Sequence, residues 1–372
     1  MPVPGCEDEL LLICRNRDRA GRGPRRDLKQ KGRTGMATLK DVAKLAGVSP
    51  STVSRTLSGT IFVEEKTRER VMKAVEELQY HPSMTARALK AGKSYTFALM
   101  VPDINSLYYP EIMRSMEKYA AEQGYTILLC NNSEDLEKER RSTDLMISKG
   151  VDGIFCMSVS DDISHLAVAK TGKGVPVVMV NRPGGGVLSS VSIDDEYGGY
   201  LMTRHLLDLG HTRIAAMFGN FELERFRSRY RGCKRAMEEA GVKGFKRYFG
   251  YDIGTLDEAY VRTKELLDRE DRPTAFFAAM DVLTIGIYSA IADSGLRIPE
   301  DVSVVGFDDI FMTKYMSPPL TTYHSSIDRL AKQAVELLMR EVEDPSVPAK
   351  SVIMKGSLTV RRSADRPADD RT

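Results

Sequence analysis

From Tyr95 onward the sequence alternates short apolar segments with amphipathic helical patterns, and this alternation constrains the fold more than any other feature. Strand–helix repetition predicts parallel sheets, because successive parallel strands need a crossover that is usually a helix. The number of units predicts two doubly wound subdomains, with a ligand cleft beyond the carboxyl ends of the strands. The predicted strands are 97–101, 126–130, 153–157, 177–180, 190–193, 214–218, 246–250, 275–279 and 302–306. The predicted helices are 109–123, 136–149, 197–209, 227–240, 256–268, 281–293 and 327–343.

The segment "TLKDVAKLAGVSPSTVSRTLSG" at 38–59 shows another pattern, two short helices separated by a turn. Gly47 ends the first helix at a position that tolerates positive φ, and Ser49 offers an N-cap oxygen to the second. Pro50 suits the first helical position, where no N–H is needed. The apolar face predicted for the first helix is Val42, Leu45 and Ala46. Helices this short bury little core, so we interpret them as a helix-turn-helix that can enter a major groove about 12 Å wide.

A third helix is predicted from Glu64 to Leu78, and the segment "HPSMTARALKAGKSY" follows it. Pro82 blocks continuation of the third helix. Ser83 can cap one short helix over 84–90, which is too short to be stable alone in water.

Within residues 1–35, the run "RNRDRAGRGPRRDLKQKGRTG" is charged, rich in glycine and nearly free of apolar residues, so we expect a disordered basic extension. Met36 directly precedes the first folded pattern and is the alternative start of the protein. Residues 1–93 carry 19 Lys and Arg against 11 Asp and Glu, although the net charge of the whole chain is only +2. This distribution favours a polyanion-binding N-terminal part, or else an ordinary solvated surface.

Composition and motifs exclude several classes of protein. No apolar run approaches the ~18 residues of a membrane span, and no export signal is visible, so we expect a cytoplasmic protein. Phosphate-binding loops, nucleophile elbows and metal-spaced His and Cys clusters are missing from the sequence, so neither catalysis nor a cofactor is expected. The histidines are dispersed, and we interpret them as structural: His81, His165, His205, His211 and His324.

Seven motifs together resemble the LacI/GalR family of bacterial transcription regulators. Besides the segment at 38–59, they are "YHPSMTARALKAG", "VPDINSLYYPEI", "KGVDGIF", "HLLDLGHTRIA", "GLRIPEDVSVVGFDD" and "SPPLTTYHSS". The resemblance covers about 36–363. It implies an all-α helix-turn-helix head and a hinge helix, joined to a periplasmic-binding-protein-like α/β body of two subdomains with parallel sheets. It further implies a homodimer that binds a pseudo-palindromic operator on double-stranded DNA under control of a small-molecule effector.

The resemblance also divides the chain and suggests its DNA contacts. The implied regions are the extension 1–35, the DNA-binding domain 36–81, the hinge helix and linker 82–93, the effector-binding and dimerisation domain 94–363, and a polar tail 364–372. The positions that match major-groove readers are Pro50, Ser51 and Arg55. Phosphate contacts are expected from Lys40, Ser49, Thr52 and Ser54. Arg55 can donate two bonds to guanine, and the alternative is a phosphate clamp or a solvated side chain.

In the hinge, Leu89 matches the leucine that the family inserts into the minor groove, with Ala86 and Lys90 beside it. Such an apolar wedge would unstack a base step and bend the duplex. The alternative for Leu89 is an ordinary contact with the body.

Ten positions match effector-facing residues of the family: Tyr108, Tyr109, Ser158, Asn181, Arg182, Arg229, Ile253, Met280, Asp281 and Asp308. A ring of the effector could stack on an aromatic, although dimer packing is the alternative for Tyr109. An arginine and a carboxylate facing across a cleft suit polyol recognition, and a cleft salt bridge is the alternative for Arg229 and Asp308.

Two departures from the family pattern concern effector identity. Met280 stands where an amide is frequent, and Ile253 stands where an aromatic can occur. The run "RFRSRYR" at 225–231 adds cations, so we expect a sugar or sugar derivative that is anionic; surface positions on a helix are the alternative for these arginines. A solute-binding transport protein is the alternative function. The polar tail lacks the apolar heptads of a tetramerising helix.

Overall fold

We describe the chain from a computed structural model, for residues 37–58, 62–80 and 92–368. By contacts between backbone positions, the chain divides into one unit up to Ser83 and a second from Met84. None of the helices in these ranges combines the length and the apolar character that a membrane crossing requires. The predicted extension 1–35 and most of the predicted hinge lie outside the described residues.

The first unit contains α1 (Leu39–Ala46), α2 (Pro50–Ser58) and α3 (Glu65–Glu77). Thr38 and Asp41 form a capping box at the start of α1, and Gly47 ends the helix with a φ of 63°. The three helices enclose a small core, formed by Val42, Ala43, Ala46, Val53, Val71, Ala74 and Tyr80. Leu45 was predicted to face this core but is 46% exposed, because Ala43 takes the inward position instead.

Arg70 of α3 holds the turn between α1 and α2. Its Nε donates to the carbonyl of Ala46 at 3.1 Å, and its Nη2 donates to the carbonyl of Gly47 at 3.1 Å. These bonds satisfy carbonyls that the end of a helix leaves without an intrahelical partner.

The second unit is built on two six-stranded sheets. The first sheet has the order β11-β5-β4-β3-β1-β2 and the second the order β12-β10-β9-β8-β6-β7. The strands are β1 (Thr96–Val101), β2 (Thr126–Asn131), β3 (Gly153–Cys156), β4 (Val177–Val180), β5 (Ser189–Ile193), β6 (Ile214–Met217), β7 (Phe249–Gly250), β8 (Ala275–Ala278), β9 (Ser303–Asp308), β10 (Thr321–His324), β11 (Ser351–Met354) and β12 (Ser357–Thr359). All pairs are parallel except β10–β12, which is antiparallel. We call the halves built on these sheets the first and second subdomains.

The helices of the second unit are α4 (Tyr109–Glu122), α5 (Leu136–Ser148), α6 (Ser164–Lys173), α7 (Asp195–Asp208), α8 (Glu224–Glu239), α9 (Leu256–Leu267), α10 (Asp281–Asp293) and α11 (Ile327–Glu343). The chain crosses between the subdomains after β5, after β10 and after β11. The predicted fold class, a helix-turn-helix head with an α/β body of two parallel-sheet subdomains, is confirmed for the described residues.

Candidate functional site

The outer face of α2 presents Pro50, Ser51 and Arg55, which are exposed, whereas Thr52 and Ser54 are half-buried. As predicted for an N-cap, the hydroxyl of Ser49 accepts a hydrogen bond from the N–H of Thr52 at 3.2 Å. That hydroxyl also lies 2.7 Å from the hydroxyl of Ser51, which keeps the start of α2 polar. The surface therefore offers small polar groups and one long cation.

Two further observations complete the placement of the predicted DNA contacts. Lys40 is exposed on α1. The hinge residues Ala86, Leu89 and Lys90 lie outside the described residues, so their roles stay predictions.

A cavity of about 480 Å³ lies between the two subdomains, at the carboxyl ends of the strands. Of the ten predicted effector residues, its wall includes Tyr108, Tyr109, Arg182, Met280 and Asp308. Segments from both subdomains contribute, including 105–109 after β1 and 254–256 after β7. This is the position expected for a ligand site in an open α/β fold.

Tyr108 forms an aromatic corner of the wall with Tyr109, their ring centroids 5.5 Å apart in an edge-to-face arrangement. The Tyr108 hydroxyl accepts a bond from Nδ2 of Asn181 at 3.2 Å, and burial raises the pKa of this phenol. Asn181 has a φ of 53°, so it occupies the left-handed region at the end of β4. Strained backbone of this kind tends to concentrate at functional sites.

Two arginines of the wall, Arg182 and Arg225, have no carboxylate within 4 Å among the described residues. Arg182 donates from Nε to the carbonyl of Ser158 at 2.8 Å and from Nη1 to that of Asn181 at 2.7 Å. Arg225 lies over the ring of Phe226, 4.3 Å from its centroid, and its buried Nε lacks a hydrogen-bond acceptor.

The pKa of Arg225 is lowered to about 10, first by burial and then by the like charge of Arg182. The guanidinium remains protonated at neutral pH. A positive charge without a direct ion pair in the described ranges therefore faces the cavity from the first turn of α8, and Asp308 of the same wall offsets it only in part.

Arg229 lies one turn further along α8 and is completely buried. Its Nε donates to Asp195 at 2.7 Å, and its guanidinium stacks on the ring of Phe307, 3.6 Å from the centroid. Burial alone would lower the pKa of Arg229, but Asp195 and Asp308 together raise it. Arg229 therefore lies behind the cavity wall. It contacts Asp195, which follows β5 at the first crossover between the subdomains.

Asp308 ends β9 in the cavity wall with an unusual φ of 115°. Burial raises its pKa to about 6, against the opposing charges of Arg229 and Arg225. Its carbonyl accepts a bond from the hydroxyl of Ser325, at the second crossover, at 3.0 Å. Asp308 thus joins the cavity to a segment that connects the subdomains.

Five of the predicted effector residues are not part of the cavity wall: Ser158, Asn181, Arg229, Ile253 and Asp281. The buried hydroxyl of Ser158 donates to Glu139 at 2.6 Å. The carboxyl of Asp281 accepts from Thr322 Oγ1 at 2.6 Å and from the N–H of Ile310 at 3.0 Å. Ile253 is half-buried and packs against the core of the second subdomain.

Sequence reasoning did not assign several wall residues to the effector: Asp103, Asn105, Ser106, Leu107, Glu134, Asn220, Leu223, Phe226, Thr255, Leu256 and Val282. Most of them follow the carboxyl ends of β1, β2, β6 and β7. The rule that ligands bind beyond strand carboxyl ends could have identified them. The described residues contain no group of three or more His, Cys, Asp or Glu side chains suited to a metal ion.

Comparison with known proteins assigns both units. Residues 38–83 match the model of bacterial regulatory proteins of the lacI family, and 203–364 match that of a periplasmic binding protein-like domain. The HTH-type transcriptional repressor PurR of Vibrio vulnificus is 38% identical over 328 residues, which cover 88% of this chain and 98% of that repressor. The chain belongs to the LacI family.

LacI-family structures show the same architecture. The Lac repressor dimer bound to operator and the anti-inducer ONPF has a TM-score of 0.80 at 26% identity, over 89% of this chain and 100% of that one. A complex of the regulator CelR with cellobiose has a TM-score of 0.67 at 30% identity, over 88% and 99% of the two chains.

As a LacI-family member the chain is a DNA-binding transcriptional repressor with a small-molecule effector, and it is not an enzyme. The resemblance inferred from the sequence is confirmed. The head that matches the family model favours this function over solute transport, the alternative considered from the sequence.

Proposed function

We propose that this LacI-family repressor binds its operator as a homodimer and responds to an anionic, hydroxyl-rich effector, a sugar acid or a sugar phosphate. One observation carries the effector assignment. Arg182 and Arg225 stand in the cavity wall without a carboxylate partner in the part of the chain that the structure describes.

The cost of removing the charges of Arg182 and Arg225 from water supports an anionic effector. Arg182 is buried and Arg225 is half-buried, and neither has a carboxylate at ion-pair distance among the residues described. Removing such cations from water is costly, and a carboxylate or phosphate between the two guanidiniums would offset that cost with charge-assisted hydrogen bonds. The orphan Nε of Arg225 is a donor that such a group would satisfy.

The rest of the wall suits a polyol ring. Tyr108 and Tyr109 offer aromatic surface, and the carboxyl of Asp308 can accept bonds from hydroxyls. Among similar structures, one LacI-family regulator from Enterococcus faecium has bound ribose, at 27% identity, a TM-score of 0.66, and coverage of 73% of this chain and 98% of that one.

The effector assignment is tested by isothermal titration of the purified protein. The panel pairs each neutral sugar with its acid and its phosphate, and adds nucleobases and nucleotides because the tyrosines can stack on any flat ring. We expect a sugar acid or phosphate to bind at least tenfold more tightly than its neutral parent. Tight binding of only a neutral sugar, or of an uncharged nucleobase, would contradict the proposal.

The edge strand β2 supports the dimer. Leu128 and Leu129 of this strand are 39% and 46% exposed, and within the described residues β1 is the one strand that pairs with it. Exposed apolar edge strands invite pairing with another chain, so a second copy is the simplest cover.

Dimerisation is tested by light scattering after size-exclusion chromatography. We expect Leu129→Glu to convert the dimer to a monomer. Val168→Glu is the matched control, because Val168 is 58% exposed on α6 of the same subdomain. A monomeric wild type, or a dimer that survives Leu129→Glu unchanged, would contradict this interface.

For the DNA, each α2 helix would read one half-site of a near-palindrome, with Arg55 as the base-reading side chain and Leu89 as the minor-groove wedge. A hundredfold effect of the effector on operator affinity requires about 2.7 kcal/mol of coupling between the two sites. Genome-wide binding would supply operator sequences, and gel shifts on an inverted repeat and on random duplex would test them. Equal affinity for the two duplexes, with and without metabolites, would contradict this function.

A further inference from the structure

No residue adjacent in sequence supplies a side-chain N-cap for helix α8. Leu223 stands at the N-cap position, and its side chain makes no capping bond. The N–H of Glu224 instead donates to Oδ2 of Asp161 at 2.9 Å. Asp161 lies between β3 and α6 in the first subdomain, whereas α8 belongs to the second. The first turn of α8 is therefore capped from across the cleft.

The same oxygen of Asp161 also makes an ion pair. Nη2 of Arg227, on α8, lies 2.7 Å from it. Carboxylates favour helix N-termini because they satisfy free N–H groups and complement the helix dipole. One carboxylate oxygen thus receives a backbone bond and a charge-assisted bond, both from the other subdomain.

The loop that carries Asp161 is anchored in the first subdomain by buried Glu139. Its carboxylate accepts from the hydroxyl of Ser158 at 2.6 Å and from the N–H of Val159 at 2.9 Å, and Nε2 of His165 lies 3.1 Å away. Burial raises the pKa of Glu139, but the bonds to His165, Ser158 and Val159 outweigh it and hold the pKa below its usual value. The loop is therefore fixed to its own subdomain by a charged carboxylate.

The two sides of this contact are also the two sides of the cavity. Val159 of the loop lines the cavity, and the carbonyl of Ser158 holds Arg182 in place. On the opposite side, Glu224 directly precedes Arg225. A displacement of α8 from the loop would therefore separate Arg225 from Arg182. Asp161 itself is not part of the cavity wall.

We propose that Asp161 is a positioning residue that holds the effector cleft closed by capping α8 across the two subdomains. It acts through α8 and not through contact with the effector, and it does so whatever the effector is. Loss of Asp161 shifts the free protein toward an open cleft, in which both walls become more accessible to water. If Asp161 were only a local cap, its loss would raise the accessibility to water of the first turn of α8 alone.

Hydrogen exchange measured by mass spectrometry on the full chain, without added ligand, separates these roles. For Asp161→Ala we expect amides at 224–227 to exchange about tenfold faster, the scale of one charge-assisted bond. We expect a similar increase at 105–109, on the opposite wall. Faster exchange confined to 224–227 would reduce Asp161 to a local cap, and unchanged exchange would refute both roles.

Asp162→Ala is the matched control, because the partners of Asp162 lie in the first subdomain. They are Arg140 at 3.1 Å and the N–H of Ser164 at 3.1 Å. Its effects should stay near α6, and a tenfold increase at 224–227 in this variant would overturn the assignment to Asp161.

A second variant covers the case in which Asp161→Ala does not fold. Arg227→Gln keeps the bond from the N–H of Glu224 to Asp161 but removes the ion pair with Asp161, and with it the local pair of Arg227 with Glu224 at 3.0 Å. We therefore expect an increase of about threefold at both walls, and the increase at 105–109 is the one that the local pair does not explain. Because Arg227 and Asp161 are 35% and 28% exposed, added salt should produce the same change in the wild type. No change at 105–109 in Arg227→Gln or in high salt would count against the closure role.

Discussion

Nη2 of Arg229 lies 3.7 Å from Oδ1 of Asp308 and has no hydrogen-bond partner among the described residues. The pair is therefore attracted by charge without a completed hydrogen bond. Since Asp308 lines the cavity and Arg229 lies behind it, an oxygen of the effector near both groups would complete the network. Asp308 of this pair also contributes to the dependence of stability on pH.

Asp308 should make the protein less stable as the pH rises through the weakly acidic range. Its pKa in the folded protein is about 6, above the value of about 3.9 expected in the unfolded chain. The folded state therefore binds more protons than the unfolded state between about pH 4 and pH 6, and the free energy of unfolding falls as these protons are lost.

The variant Asp308→Asn removes this titration. Its free energy of unfolding should fall less than that of the wild type from about pH 4 to pH 7, with a difference of up to about 3 kcal/mol. Urea unfolding followed by circular dichroism measures both curves. If the two curves run parallel through this range, Asp308 does not titrate as the geometry indicates.

Arg225→Met tests the anion site. The substitution keeps an unbranched apolar side chain but removes the guanidinium that lies over Phe226 and its charge, so the Kd of an anionic effector should rise at least tenfold. The Kd of a neutral sugar should stay within about twofold. Isothermal titration with the acid and the neutral form of one sugar measures both.

Arg231→Met is the control for that experiment. Arg231 lies on the same helix but forms surface ion pairs with Glu224 at 2.6 Å and with Glu196 at 3.3 Å. Its loss should leave the Kd of either ligand unchanged. Equal losses in the two variants would mean that the net charge of α8, and not the position of Arg225, attracts the anion.

Asp281 should matter for stability more than for effector binding. Its buried carboxyl is occupied by Thr322 and by the N–H of Ile310, so Asp281→Ala should cost about 2 kcal/mol. Burial, and then the neighbouring charge of Asp308, raises the pKa of Asp281 well above its usual value. The neutral amide of Asp281→Asn should therefore be tolerated better than alanine. Chemical denaturation gives the costs, and an effector Kd raised tenfold in Asp281→Asn would place this residue in the site after all.

Periodicity predicted the sheets better than it predicted individual side chains. The buried strands are short apolar runs, so they are visible in the sequence, but β10 is not, because buried threonines Thr321 and Thr322 replace apolar residues there. Helix α6 was also missed, since only Leu166 and Ala169 of its residues are buried. Helix α8 begins three residues before the predicted start, because its cap, Asp161, is distant in sequence.

The sequence predicted residues of the candidate site only where the place of a residue at a strand end was enough to put its side chain in the cavity wall. Alignment with family motifs placed Arg182 and Asp308 at strand ends, and both line the cavity. It could not distinguish Arg225 from Arg229, since both lie on one helix and their difference depends on Asp195 and Phe307, which tertiary packing brings to Arg229. Only the tertiary structure shows which of the two neighbouring arginines is paired with a carboxylate.

Arg55→Lys tests base reading by α2. Lysine keeps the positive charge but loses the fork that can donate two bonds to one guanine. We therefore expect preference at one base pair of each half-site to weaken by about 1–3 kcal/mol, with little change in affinity for random DNA. Competition gel shifts with all four base pairs at each operator position measure the preference.

Lys40→Met provides the contrast for this experiment. A phosphate contact by Lys40 would weaken binding to every duplex alike and reduce the salt dependence of the affinity by about one ion. An Arg55→Lys variant that behaves in the same way, losing affinity uniformly and keeping its base preferences, would show that Arg55 holds phosphate and that another side chain reads the operator.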